Sequence, residues 1–281
     1  ILLFLLYISP YAFGSHIVGG DIYYNYLGNN QYRFFITIYR DCNSTGAEYD
    51  NPLALSIYTG NNLYQNVNVP FPGSVQLPVL FNNPCATPPT NICIERAIYN
   101  VLLTLPPCAT GYTVSYQRCC RGPNITNLVN PDDTGLTLTT NIPGTSGFAP
   151  TAYQNSSPRF TNYPPILLCS QDNFVFNHVA TDPDGDQLIY SLITPNAGAS
   201  SATPLPPQTP APPYPLVQYN GGYSAVSPLG PGSSVSIDPN TGILNVNPNL
   251  IGLFVVGVRV QEVRNGVIIG STVRDFLFRV F

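Results

Sequence analysis

The chain has 281 residues and a formal net charge of -4, and only 9% of its residues are charged, well below the roughly 25% of an average globular protein. All its cations are arginines, because lysine is absent, which excludes a GxxxxGK phosphate loop and leaves no basic stripe for nucleic acid. Thirty prolines, 23 glycines and 19 tyrosines, without Met or Trp, exclude a helical fold and predict β structure throughout.

Residues 1–14 are apolar but too few to span a bilayer. They read as the hydrophobic stretch of a secretory signal peptide, with small residues Ala12 and Gly14 placing cleavage before Ser15. From there Ile17–Leu27 and Tyr32–Tyr39 read as strands joined at Gly28-Asn29-Asn30. Leu53–Tyr58 and Leu63–Val69 form a second such pair, Val75–Leu80 a further strand, and a Pro-rich loop follows at 82–90. Ile92–Leu105 is a long strand ended by Pro106-Pro107, with Gly111–Gln117 as its expected partner and Thr134–Thr140 as another strand. Short strands at this spacing argue for a sandwich.

Six of the seven cysteines lie between Cys42 and Cys120, and export would place them in an oxidising compartment where they bridge. Six cysteines allow fifteen pairings. The adjacent Cys119 and Cys120 are expected to point to opposite faces of a strand and to pair in different directions. Cys169 either joins this set or ties the second half to the first. Zinc is the weaker reading, since the cysteine spacing does not match its usual ligand patterns.

Residues 143–165 are rich in Pro and Gly and read as a connection, with a boundary near 158. The expected organisation is therefore a signal remnant at 1–14, a disulfide-bearing sandwich at 15–157 and a second sandwich at 158–281. Asn43-Ser44-Thr45, Asn124-Ile125-Thr126 and Asn155-Ser156-Ser157 match the N-glycosylation pattern.

In the second half, Asn173–Val179 and 187–192 are strands flanking Asp182-Pro183-Asp184-Gly185-Asp186. Pro183 and Gly185 favour a tight turn in which the three carboxylates converge. Converging anions require a cation, and short acidic side chains suit Ca²⁺. Asp182, Asp184 and Asp186 are thus the expected metal ligands, with Asp172 as a fourth and Asp238 as a weaker candidate. The stretch is no EF-hand, because Gln187 and Ile193 stand where that loop needs Gly and Glu. Residues 194–215 read as a long exposed Pro-rich loop. Strand signal returns at 216–219, 223–226, 233–237 and 243–246, and Leu253–Val263 pairs with Val267–Phe281 through the type I′ turn at Asn265-Gly266.

The phrases "ATDPDGDQLIYSL" and "SIDPNTGIL" resemble cadherin-like repeats of bacterial surface proteins. In the first half, "SHIVGGDIYYNYLGNNQYRF", "IYRDC" and "GYTVSYQRCCR" resemble the N-terminal region of large exported proteins of gliding Bacteroidota, which use type IX secretion. The resemblance implies all-β, tandem β-sandwich domains of immunoglobulin-like or cadherin-like type, with a Ca²⁺ held at the acidic turn. It also implies an extracellular, cell-surface location. Expected partners are neighbouring domains of the same longer chain, surface glycans or other cell-surface proteins, with no nucleic acid and no stable membrane span after signal cleavage.

No catalytic constellation is legible. His16 and His178 are the two histidines, no serine sits in Gly-x-Ser-x-Gly, and Glu48, Glu95 and Glu262 read as surface charges. The expected function is a non-catalytic structural or adhesive module. Two alternatives stay open. One is a carbohydrate-binding module stacking sugars on Tyr23, Tyr24 and Tyr26. The other is a metal-dependent hydrolase at the acidic turn.

Overall fold

In a computed structural model, which describes residues 17–78, 92–146, 151–165 and 167–281, all elements longer than three residues are strands. The signal remnant 1–14, its cleavage site, Cys85 and the loop at 82–90 lie outside the described residues. Among the described residues no helix is long and apolar enough to cross a membrane.

Local alternation builds the first half. β1 (Ile17–Tyr26) and β2 (Gln31–Asp41) form a hairpin, with Gly28, Asn29 and Asn30 all at positive φ in the turn. In β2 the even positions Tyr32, Phe34, Ile36 and Ile38 are buried. β3 (Leu53–Thr59) and β4 (Asn62–Val69) form a second hairpin. β5 (Ser74–Gln76) is short and pairs with β6 (Ile94–Thr104). β7 (Tyr112–Arg118) and β8 (Leu136–Ile142) follow.

The expected pairing of 92–105 with 111–117 is overturned. β6 lies along the whole of β2, from Gln31 opposite Thr104 to Asp41 opposite Ile94. β7 lies instead between β3 and β8. β6 and β7 each pair with other strands, and the Pro106-Pro107 connection carries the chain to the opposite arm of the sheet rather than back alongside. Tyr112 pins that crossing by donating its hydroxyl to the carbonyl of Pro106 at 2.7 Å.

The remaining strands are β9 (Arg159–Phe160), β10 (Leu167–Leu168), β11 (Phe174–Asn177), β12 (Ala180–Thr181), β13 (Gln187–Ile193), β14 (Ser234–Ile237), β15 (Ile243–Asn247), β16 (Gly252–Arg264) and β17 (Val267–Val280). The turn between β16 and β17 carries Asn265 and Gly266 at φ 53° and 78°, as a type I′ hairpin requires. The strands expected at 216–219 and 223–226 reduce to isolated bridges, Asn196 with Leu216, Leu128 with Tyr219 and Ser224 with Ser227.

The large sheet runs β4-β3-β7-β8-β17-β1-β2-β6-β5, with β16 and β13 continuing from β17. It curls into a half-barrel, so β1, β2 and β6 face β3, β7 and β8 across a core that includes Ile22, Tyr24, Phe34, Tyr99, Leu55 and Val114. The second core lies between β16–β17 and the three-stranded sheet β11-β15-β14. Phe254, Val256, Phe276 and Phe278 meet Leu244 and Val246 there. β17 therefore serves both cores. It pairs with β1 at Gly20 and Asp21, with β8 at Thr140 and with β16 over its length.

A glycine permits that docking. A Cβ on Gly19 would lie 2.0 Å from the Asp275 carbonyl oxygen. Buried charge reinforces it. Arg274 meets Asp21 at 2.8 Å and Arg121 meets Asp275 at 2.5 Å, joining the last strand to β1 and to the segment after β7.

Cys42 and Cys93 are bridged, tying the end of β2 to the start of β6. Cys119 and Cys120 are bonded to each other, which corrects the expectation that they pair in different directions. β7 ends at Arg118, so the two cysteines leave the extended ladder and the alternation argument does not reach them. Among the three glycosylation matches, Asn43 and Asn124 are exposed but Asn155 is fully buried.

Candidate metal centre

The acidic turn is closed by a side chain on its own backbone. Asp182 Oδ1 accepts from the N–H of Asp184 at 2.9 Å and of Asp186 at 3.1 Å, closing the loop between β12 and β13. Gly185 takes φ 81° within it, a conformation that a side chain disfavours.

The three aspartates do not all converge. Asp186 is gripped by both arms of Arg264, Nε to Oδ1 at 2.8 Å and Nη2 to Oδ2 at 2.6 Å. Asp184 turns outward and accepts from the Ser156 N–H at 2.6 Å. Asp172 is exposed ahead of β11 and outside the group, as is Asp238. The residue that completes the cluster is Glu262 of β16. Ligand oxygens of Asp182, Asp186 and Glu262 lie within 4.8 Å of one another, about the span across one Ca²⁺ with oxygens at roughly 2.3–2.6 Å on either side.

Glu262 is fully buried, which corrects its reading as a surface charge. Its Oε2 accepts from the Asn155 amide, while its Oε1 has no hydrogen-bond partner. Asp182 Oδ2 is also buried and unpartnered. Two orphaned carboxylate oxygens in one cluster are costly unless a proton or a cation meets them. Burial pushes the Glu262 carboxyl up to about 8, with the nearby Asp182, Asp186 and Asp184 adding to the rise against the Asn155 bond. Burial raises Asp182 as well. Hydrogen bonding to Asp186 holds the Arg264 guanidinium still more firmly charged.

These donors fit a hard cation of Ca²⁺ type: buried carboxylate oxygens, two of them without partners. Asp182 and Glu262 are the residues able to hold it, with Asp186 shared with Arg264. Glu262 was detectable from the period of its strand. It has the parity of Phe254, Val256, Val258 and Val260, all buried, so an inward carboxylate follows from the pattern. Asn155 and Arg264 carry no comparable signal in the sequence.

The cluster also joins the two cores. Asn155 bonds Glu262 and Arg264, Ser156 bonds Asp184, and the hydroxyls of Ser156 and Ser157 accept from the backbone N–H groups of Tyr26 and Tyr24 in β1. The stretch read as a loose connection is thus buried at 155–157.

The aromatic row is not assembled. Tyr24 and Tyr26 pack into the first core, and only Tyr23, stacked on Phe35 with ring centroids 4.8 Å apart, faces the other way. His178 lies in the second core with neither ring nitrogen hydrogen-bonded, against Phe160, Phe176 and Phe276 at 4.8–5.4 Å. Burial, and secondarily Arg274, pushes its pKa well below 6.5. The native state therefore holds it neutral. That stability is present above the unfolded value of about 6.5 and is lost as pH falls below it, at about 1.4 kcal/mol per unit. His178→Leu is expected to flatten this acid limb, measured as urea midpoints between pH 7 and 5. Parallel curves for the two proteins would show that His178 does not set it.

Neither the family models nor the curated proteins contain a match to this chain.

Proposed function

We propose that the chain is a non-catalytic extracellular surface module, structural or adhesive, which holds or spaces neighbouring domains of a longer cell-surface protein. One observation carries the reading: the unpartnered oxygens of Asp182 and Glu262, buried where the acidic turn meets β16 and residues 155–157. A Ca²⁺ there would offset the carboxylate repulsion and brace the contact between the two cores, with its binding free energy added to folding stability. The two disulfides agree with an oxidising, extracellular compartment. The packing of β11-β15-β14 on β16–β17 agrees with a cadherin-like sandwich for the second half, drawn into a shared sheet by β17. Export by the type IX route, and glycans or other surface proteins as partners, belong to the same proposal and rest on the sequence resemblance.

The experiment is a melt with Ca²⁺ and with chelator. An extracellular module of this kind needs a Kd on the order of 10⁻⁴ to 10⁻³ M, so at 10 mM Ca²⁺ the gain is about 1.4–2.7 kcal/mol. A rise of several degrees is expected, lost in Asp182→Asn and largely kept in Asp184→Ala, whose carboxylate points away from the cluster. Equal melting temperatures in Ca²⁺ and chelator, with no calorimetric heat at millimolar Ca²⁺, would refute the metal reading.

A further inference from the structure

A second site lies away from the acidic turn, in a cleft of about 310 Å³ across the face of the large sheet. That volume is at the lower end of the roughly 300–1,000 Å³ of small-molecule sites. Its apolar surface comes from four strands and a loop: Val18 of β1, Ile94 of β6, Leu253 of β16, Leu277 of β17 and Ile125. Polar groups stand around it, among them Asn43, Thr45, Asn124 and the ion pair of Arg279 with Asp41.

One wall is covalently braced. Cys42 precedes Asn43 and is bonded to Cys93, which precedes Ile94. The Cys119–Cys120 bridge leads directly into Arg121, Gly122, Pro123 and Asn124 on the other wall. Both disulfides of the described residues therefore adjoin lining residues. The wall held by the Cys42–Cys93 bridge does not need to be ordered by the ligand, and preorganisation of that kind favours binding.

The lining chemistry narrows the ligand. Among the described residues no aromatic ring lines the cleft, so they offer no stacking surface for a sugar. Arg121 is already committed to Asp275 and to the carbonyls of Gly135 and Asn196. Arg279 is different. Its side chain is about a third exposed, and it reaches Asp41 only at 3.5 Å, the outer limit of a hydrogen bond. A guanidinium fork matches a carboxylate in plane and in charge. We propose that this cleft binds an aliphatic carboxylate, its chain on the apolar floor and its head on Arg279. The head comes either from a free aliphatic acid or from the C-terminus of an apolar peptide.

Titration calorimetry on the Ca²⁺-saturated chain tests this and does not depend on the acidic turn, since Asp182→Asn is expected to leave it unchanged. The probes are octanoate, octanol and octylamine, with N-acetyl-Ala-Ala-Val as free acid and as amide. Saturable binding of octanoate or of the free-acid peptide is expected, at least about tenfold tighter than the matching alcohol, amine or amide. Whichever acid binds identifies the source. Arg279→Ala should weaken it about tenfold, and Asp41→Asn should strengthen it by removing the competing carboxylate. Binding by neither acid, equal binding of octylamine and octanoate, or an Arg279→Ala protein that is folded by circular dichroism and binds unchanged, would each overturn the proposal.

Discussion

Arg121→Ala is expected to destabilise the protein by about 3–5 kcal/mol, the usual cost of leaving one member of a buried ion pair without its partner. The Arg121 and Asp275 side chains are 1% and 2% exposed, and both guanidinium nitrogens of the fork reach the carboxylate, at 2.9 and 2.5 Å. Arg121 also donates to the carbonyls of Gly135 and Asn196. Its removal thus strands a buried carboxylate and two acceptors where β17 docks beside β1. The double variant Arg121→Met with Asp275→Leu removes both charges, and replacing such a pair by apolar groups is often neutral. It is expected to recover most of the loss. Urea unfolding of the wild type, Arg121→Ala and the double variant measures this. A loss below about 1 kcal/mol for Arg121→Ala would mean that the pair is not what joins the last strand to the first half.

Glu262→Gln is expected to remove a pH dependence and a metal dependence together. The native Glu262 carboxyl titrates near 8, raised from 4.5 chiefly by burial. Its contribution is therefore fully present below about pH 4.5 and is lost as pH rises through 8. Without metal, ionising it inside the acidic cluster costs on the order of a few kcal/mol. Glutamine keeps the shape and an oxygen for the Asn155 amide, and it never ionises. In chelator the variant should match the wild type near pH 4.5 and exceed it at pH 9. In Ca²⁺ the wild type should recover, because the ion takes the place of the proton, while the variant gains little. Chemical denaturation at the two pH values, with and without Ca²⁺, separates the effects. A variant that follows the wild-type pH curve in chelator would exclude Glu262 as the titrating group.

The strand inventory was legible because it rests on local chemistry. Alternation of Tyr32, Phe34, Ile36 and Ile38 marks β2, and Asn265-Gly266 marks the last turn, whatever surrounds them. The acidic turn was legible for the same reason, since the Asp182 side chain closes it by accepting from the N–H groups of Asp184 and Asp186. The ligand set was not. Asp184 is adjacent in sequence but turned toward Ser156, whereas Glu262 is 80 residues from Asp182 and reaches it only because β13 pairs with β16, setting Leu188 opposite Glu262. The parity of Glu262 along β16 announced an inward carboxylate, but not its neighbours.

The sequence by itself determined the β class, most strand positions, the main turns and the place of a charged loop, because propensity, period and turn geometry act over a few residues. Tertiary structure alone decided which strands lie side by side: β6 on β2 rather than β7, and β17 between β8 and β1. It also decided that Cys119 bonds Cys120, that Asn155 is buried and that Arg264 competes for Asp186. Such pairings depend on how distant surfaces fit once the chain has folded. Here the small residue Gly19 and the buried charges of Asp21, Arg121, Arg274 and Asp275 select the fit, and no short window of sequence contains both sides of any of those contacts.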